Sequence, residues 1–432
     1  MNTRLSGVTR TDAYDVIRHD VIAGIERLRL EPEQQLAEVH AEIERAVADY
    51  ERQARLGEQV PLGDAAAMVH RVLRSITDLG PLTDLLARPD VEEIFLEGAR
   101  VTYLDTTGRL HGLAEPTTED ENRQILDRLL AVTERQLNAK HPMVQARVLD
   151  GTARLTAAIP PIADQLSATV RRYTVRDVSL DQLVARDALT APAAAFLWAL
   201  MQQRSRVVIS GEPGAGKTTM AAALLSAVAA SHCVRCCEEI RESAVPLAHG
   251  AYYEVRPPGL DGTGEITLRD LVKFVLSMRP DRIVVGEVRG AEAFELTRAI
   301  NAGCGFMCTV HANSGPDALN ALVNAALMAG ENVTEGIVRR VFSQALDVVV
   351  HVDRDDSSRG AGGARRQVTE ITAVVPNLGQ DQTYEPIFVR RELGGPLEWT
   401  GALPPRLEAR LNRTLPREMQ VRDLLERSDG SA

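Results

Sequence analysis

Residues 211–218 read GEPGAGKT, and no other stretch restricts the fold of this chain as sharply. Glycines at 211, 214 and 216 let successive main-chain N–H groups curl round an anion. Lys217 adds a point charge, and the Thr218 hydroxyl can ligate Mg²⁺. The spacing fulfils the whole G-x-x-x-x-G-K-[ST] pattern. Such a loop works between a strand and a helix, because the helix N-terminus contributes partial positive charge. The flanks comply: RVVIS (206–210) precedes it and the alanine-rich TTMAAALLSAVAA (218–230) follows. A phosphate-binding loop of Gly211, Glu212, Pro213, Gly214, Ala215, Gly216, Lys217, Thr218 and Thr219 is therefore expected, with ATP or GTP as its ligand.

From Arg206 onward strands and helices alternate, which predicts an α/β domain with a mostly parallel sheet and helices on both faces. In such a sheet ligands sit beyond the carboxyl ends of the strands. IVVGE puts Glu287 there, reached through Gly286, where it can orient and deprotonate water beside the γ-phosphate. CCEEIRE adds Glu238 and Glu239, and CTVHANS adds Thr309 and His311. Acids gathered this closely repel without a dication, so Mg²⁺ is expected on Thr218, Glu238, Glu239 and Glu287. DVVVHV (347–352), VTEITAVVP (368–376) and TYEPIFVRR (383–391) are expected as an antiparallel extension, with SSRGAGGARR (357–366) as a mobile loop between them.

Upstream the pattern differs. In residues 1–75 Leu28, Leu30, Leu36, Val39, Ile43 and Val47 recur at helical spacing, predicting a helical N-terminal extension. Short β-like runs with one helix (121–137) predict a small α/β domain over 76–178. A linker follows at 179–192, the nucleotide-binding domain spans 193–400, and 401–432 reads as a polar tail. A net charge of −11 and only 4% aromatic residues argue against direct nucleic-acid contact. Cys233-x-x-Cys236 has metal-ligand spacing, but the segment is strand-like and its cysteines read as core. No apolar run approaches the ~18 residues of a membrane span, and the N-terminus has no signal-peptide core, so a cytoplasmic protein is expected.

Four motifs in order, GEPGAGKTT, CCEEIRES, RPDRIVVGEVRG and GFMCTVHANS, resemble the Walker A, Asp box, atypical Walker B and His box of the type II/type IV secretion ATPases. LGPLTDLLARPDVEEIFLEG and HPMVQARVLDGTARLTAAIPP are similar to the CpaF-type ATPases of Flp/Tad pilus assembly and their conjugative relatives. The resemblance implies a RecA-like ATPase domain behind the small α/β domain. It implies a homohexameric ring with ATP and Mg²⁺, peripheral at the cytoplasmic face of the inner membrane through a polytopic platform protein. It assigns catalysis to Glu287, Lys217, His311 and Glu239, and γ-phosphate contacts to Arg154 and to Arg171 or Arg172. Arg279 and Arg289, flanking the Glu287 strand, are expected to bridge subunits. Two departures stand out: Glu97-Gly98 replaces an Asn-Gly, and Glu239 replaces an Asp. The tetracysteine insertion of the type II branch is missing. A conjugative ATPase, a nucleotide switch with negligible turnover and a small-molecule kinase are the competing readings.

Overall fold

The computed structural model describes residues 10–426 apart from 33, 174–177, 260–261, 331, 356–364 and 377–382. The expected mobile loop at 357–366 thus lies outside the described residues except for Arg365 and Arg366, which begin a strand. The chain divides into two compact units, Met1–Thr174 and Val175–Ala432.

The first unit opens with α1 (Arg10–Leu28), α2 (Leu36–Arg55) and α3 (Ala65–Thr77). On α2 Val39, Ile43, Ala46, Val47 and Tyr50 fall on one stripe and pack against Ile17 and Val21 of α1 and Val72 and Ile76 of α3. Next come α4 (Leu82–Ala87), β1 (Val91–Glu97), β2 (Arg100–Asp105), β3 (Leu110–Gly112), α5 (Glu119–Ala131), β4 (Met143–Val148), β5 (Ala153–Ala158) and β6 (Ser167–Arg172). The strands form one antiparallel sheet in the order β3-β2-β1-β6-β5-β4. Alternate residues such as Ala153, Leu155 and Ala157 are buried with Ile125, Leu126 and Leu129 of α5. The helices expected as an extension are bound into this unit. Arg71 of α3 makes a two-pronged ion pair with the fully buried Glu121 of α5, at 2.6 and 2.9 Å. Tyr14 of α1 donates to the same carboxylate at 2.8 Å.

The second unit comprises α6 (Leu180–Ala185), α7 (Ala191–Met201), β7 (Arg206–Ser210), α8 (Lys217–Ser226), β8 (Val234–Glu238), β9 (Gly250–Glu254), α9 (Leu268–Leu276), β10 (Arg282–Val285), α10 (Glu292–Asn301) and β11 (Gly305–Val310). It continues with α11 (Gly315–Leu327), α12 (Glu335–Ala345), β12 (Val348–Asp355), β13 (Arg365–Val375), β14 (Thr383–Val389), β15 (Glu398–Trp399), α13 (Pro405–Leu411) and α14 (Val421–Leu425). The sheet order is β15-β14-β13-β12-β7-β11-β10-β8-β9. Its face alternation is clear on β7: Val207 and Ile209 enter the core with α7 and α8, and Val208 enters the core with α9 to α12. Both faces are covered, as continuous apolar strands require.

Two expectations need correction. DVVVHV is not part of the antiparallel extension: β12 pairs in parallel with β7, and only β13, β14 and β15 run antiparallel beyond it. The stretch from Gly401 is no loose polar tail either. Leu403, Leu407, Leu411, Leu415, Val421 and Leu425 are buried in the α7–α8 core, because the leucines recur every fourth residue and form an apolar stripe.

Candidate functional site

The phosphate loop leaves β7 and closes onto α8, which starts at Lys217 behind Gly216. Gly216 has φ +101°, a left-handed conformation that an L side chain rarely adopts. Gly211 is required for room: a Cβ there would lie 2.2 Å from the Val352 carbonyl oxygen. Ala215 is buried, Gly214 and Thr219 are half-buried, and Glu212, Pro213 and Thr218 are exposed.

Lys217 is buried, and its ammonium donates to the carbonyls of Gly211 and Glu212 at 2.8 and 2.9 Å and to His311 Nδ1 at 3.0 Å. With Nδ1 accepting, the imidazole proton sits on Nε2. Nε2 faces Glu287 Oε1 at 2.5 Å, and the other oxygen of Glu287 accepts from Arg289 at 2.8 Å. Arg289 reaches Glu239 at 3.6 Å. The ends of β10 and β11 and the loop after β7 are thus joined by one polar chain, Lys217–His311–Glu287–Arg289–Glu239. The parallel register sets this up, since β11 lies between β7 and β10. Thr309 turns back and donates to the Gly286 carbonyl at 2.7 Å, fixing the backbone before Glu287.

Burial alone would raise the Glu287 carboxyl. The Arg289 hydrogen bond and the charges of Arg289 and Lys217 outweigh it and hold the group below its ordinary range. Glu287 is therefore ionised at neutral pH. Glu238 behaves oppositely: burial pushes it up to about 7 against its bonds from Ser243. Its Oε1 accepts from the Ser243 hydroxyl at 2.9 Å, and its buried Oε2 has no hydrogen-bond partner among the described residues. Its Cγ lies 2.8 Å from where a Cβ on residue 286 would sit, so Gly286 is the space this acid occupies.

The four expected metal donors do not gather into one cluster. Among the described residues no three His, Cys, Asp or Glu side chains are grouped to hold an ion. Glu238 is turned into the loop at 242–243, and Glu239 is drawn toward Arg289. Magnesium at a nucleotide normally takes one or two protein oxygens and completes its shell with phosphate and water. The exposed Thr218 hydroxyl and the ionised Glu287 match that donor chemistry.

In the first unit Arg154 and Arg171 are direct cross-strand neighbours, and Arg147 continues the row on β4. Strand register brought Arg147 in, a long-range fact no local pattern carries. Like charges placed directly opposite destabilise a sheet unless an anion joins them, and at the far end Arg171 pairs with Glu93 at 3.3 Å. Arg172, one residue on, takes the other face and donates to the carbonyls of Arg88 and Val91. Of the two alternatives, Arg171 is thus the one on the Arg154 face. Arg279 lies at the opposite end of β10 from Glu287, and Arg289 is engaged with Glu287 of its own chain.

The sequence model of the family described as Type II/IV secretion system protein matches residues 75–375. A Mycobacterium tuberculosis protein named for conjugal transfer is 34% identical over 333 residues, covering 74% of this chain and 92% of that protein. The conjugal transfer protein TrbB of Rhizobium radiobacter is 28% identical over 326 residues, covering 73% and 95%. Among solved structures, the Yersinia pseudotuberculosis ATPase DotB superposes with a TM-score of 0.50 at 13% identity, over 68% of this chain and 78% of that one.

Proposed function

Since the chain belongs to the type II/IV secretion system protein family, we propose that it is a motor ATPase that couples ATP hydrolysis to pilus assembly or secretion. The observation that carries this reading is the continuous polar chain from the loop lysine through His311 to Glu287. In the proposed mechanism main-chain amides of residues 211–218 and Lys217 hold the β- and γ-phosphates. Lys217 exchanges its two carbonyl partners for phosphate oxygens when nucleotide binds. Glu287, already ionised, orients an attacking water and receives its proton. His311 keeps Glu287 aimed from one side and Arg289 from the other. Thr218 and Glu287 would hold Mg²⁺, which supplies charge neutralisation at the phosphates. Glu239 would act through Arg289 rather than on the metal.

On the resemblance alone, Arg154 and Arg171 are proposed phosphate contacts, with Arg172 reassigned to holding β6 to the segment at 88–91. We further propose a homohexamer that works at the cytoplasmic face of the inner membrane through a polytopic platform, without direct nucleic-acid contact. No helix among the described residues is long and apolar enough to cross a membrane, so attachment would run through that partner. Flp/Tad pilus assembly is the first reading of the system served. A conjugative type IV system is the second, favoured by the relatives named for conjugal transfer.

Two measurements test this. Purified protein should hydrolyse ATP only with Mg²⁺, with specific activity rising as subunits assemble. Particle mass with a non-hydrolysable ATP analogue should correspond to six subunits. A monomer that binds ATP without turnover would instead establish the switch reading.

A further inference from the structure

The loop after β7 has two flanks. His311 and Glu287 approach from the β11 and β10 side. The other flank belongs to β12 and β13, which no sequence motif marked. Val350, Val352 and Val368 lie in the core beneath α8. Next along β12 and β13 come Arg354 and Arg366, directly opposite one another in the strand register. Both reach the loop: a Cβ on Gly214 would lie 3.0 Å from Arg354 Nη1, and a Cβ on Gly216 would lie 3.7 Å from Arg366 Cδ. Neither glycine carries a side chain to intervene, so the loop backbone itself faces these arginines.

Two guanidinium groups held opposite each other beside a ring of main-chain N–H groups make a cationic wall, with planar N–H donors suited to phosphate oxygens. We propose that Arg354 and Arg366 form this second wall of the nucleotide site and bind the part that ATP and ADP share, the inner phosphates and their ribose. Position argues for the shared part. The γ-phosphate chemistry is assigned to Lys217, His311 and Glu287 on the β11 side, and the arginines stand across β7 from it. This inference rests on the reading that the loop binds nucleotide.

The test is titration calorimetry of the full chain with ADP and with a non-hydrolysable ATP analogue, for wild type, Arg354→Ala, Arg366→Ala and Arg354→Lys. Each alanine variant is expected to lose about tenfold in affinity for both ligands alike, the range for a hydrogen bond to a charged group. KM for ATP should rise by the same factor, more than kcat falls. Arg354→Lys keeps the charge and should recover part of the loss. Thermal melting confirms that each variant is folded. Equal affinity of folded variants and wild type for ADP overturns the proposal. So does a loss confined to the ATP analogue, which would place the arginines at the γ-phosphate. A wild type that binds neither ligand overturns the nucleotide reading itself.

Discussion

Two charged networks, one in each unit, use the same residue types under opposite access to water. Around Glu121 the carboxylate is fully buried, and both its oxygens are met by Arg71, with Tyr14 as a third donor. Burial and the neighbouring carboxylate push the Tyr14 hydroxyl well up. Around Glu287 the side chain is 27% exposed, and its partners His311 and Arg289 are 42% and 52% exposed. The first arrangement ties helices to a sheet. The second stands partly open at the carboxyl ends of parallel strands, where the proposed nucleotide would meet it. The sealed network and the one proposed to act on nucleotide thus differ in solvent access, not in composition.

The largest effect should fall on chemistry. Glu287→Gln is expected to lower turnover by about 10²–10⁴-fold, the usual worth of a positioned base, while ATP affinity in calorimetry stays within about twofold. Normal hydrolysis by this variant would break the contrast, because the open network would then be structural too. Next, Arg71→Ala strands a buried carboxylate and should destabilise the first unit by about 3–5 kcal/mol in urea unfolding. Nucleotide affinity should hardly change. An unaltered urea midpoint would show that Arg71 and Glu121 do not carry the helical arm.

A smaller effect comes from Glu238. Its carboxyl is raised to about 7 from 4.5, so the folded state holds a proton that the unfolded chain has released. That stabilises the fold below the unfolded value and is lost as pH rises through about 7. The full range amounts to at most about 3 kcal/mol. Melting temperature of the wild type should therefore fall between about pH 4.5 and pH 7 and level off above it, and Glu238→Gln should flatten that fall; parallel curves would refute the assignment. Smallest is Arg289→Ala, expected to cost about tenfold in kcat, near 1.4 kcal/mol. With its hydrogen bond gone the Glu287 carboxyl should titrate higher, moving the acidic limb of the kcat profile upward. A merely structural arginine would leave that limb in place.

What could be read in the sequence was what is local. The loop, Glu287 and His311 were legible because strand, turn and polar residue are contiguous, and parallel order then joins them. Arg147, Arg354 and Arg366 were not, since each matters through a cross-strand neighbour fixed only by register. The choice between Arg171 and Arg172 is a matter of parity along β6, which a one-residue shift inverts. Glu121 looked like any acid in the first turn of α5, and the residue that buries it lies 50 positions upstream.

The closing helices have a consequence for biosynthesis. Arg410 reaches back to Asp347 at 2.8 Å, and the leucines from 403 to 415 fill a core begun by α7 near residue 200. Contacts of such long separation form late, after the entropy of closing the loop has been spent. The phosphate loop therefore leaves the ribosome about two hundred residues before its own domain can be finished. During that interval the half-built sheet exposes apolar surface in need of shielding.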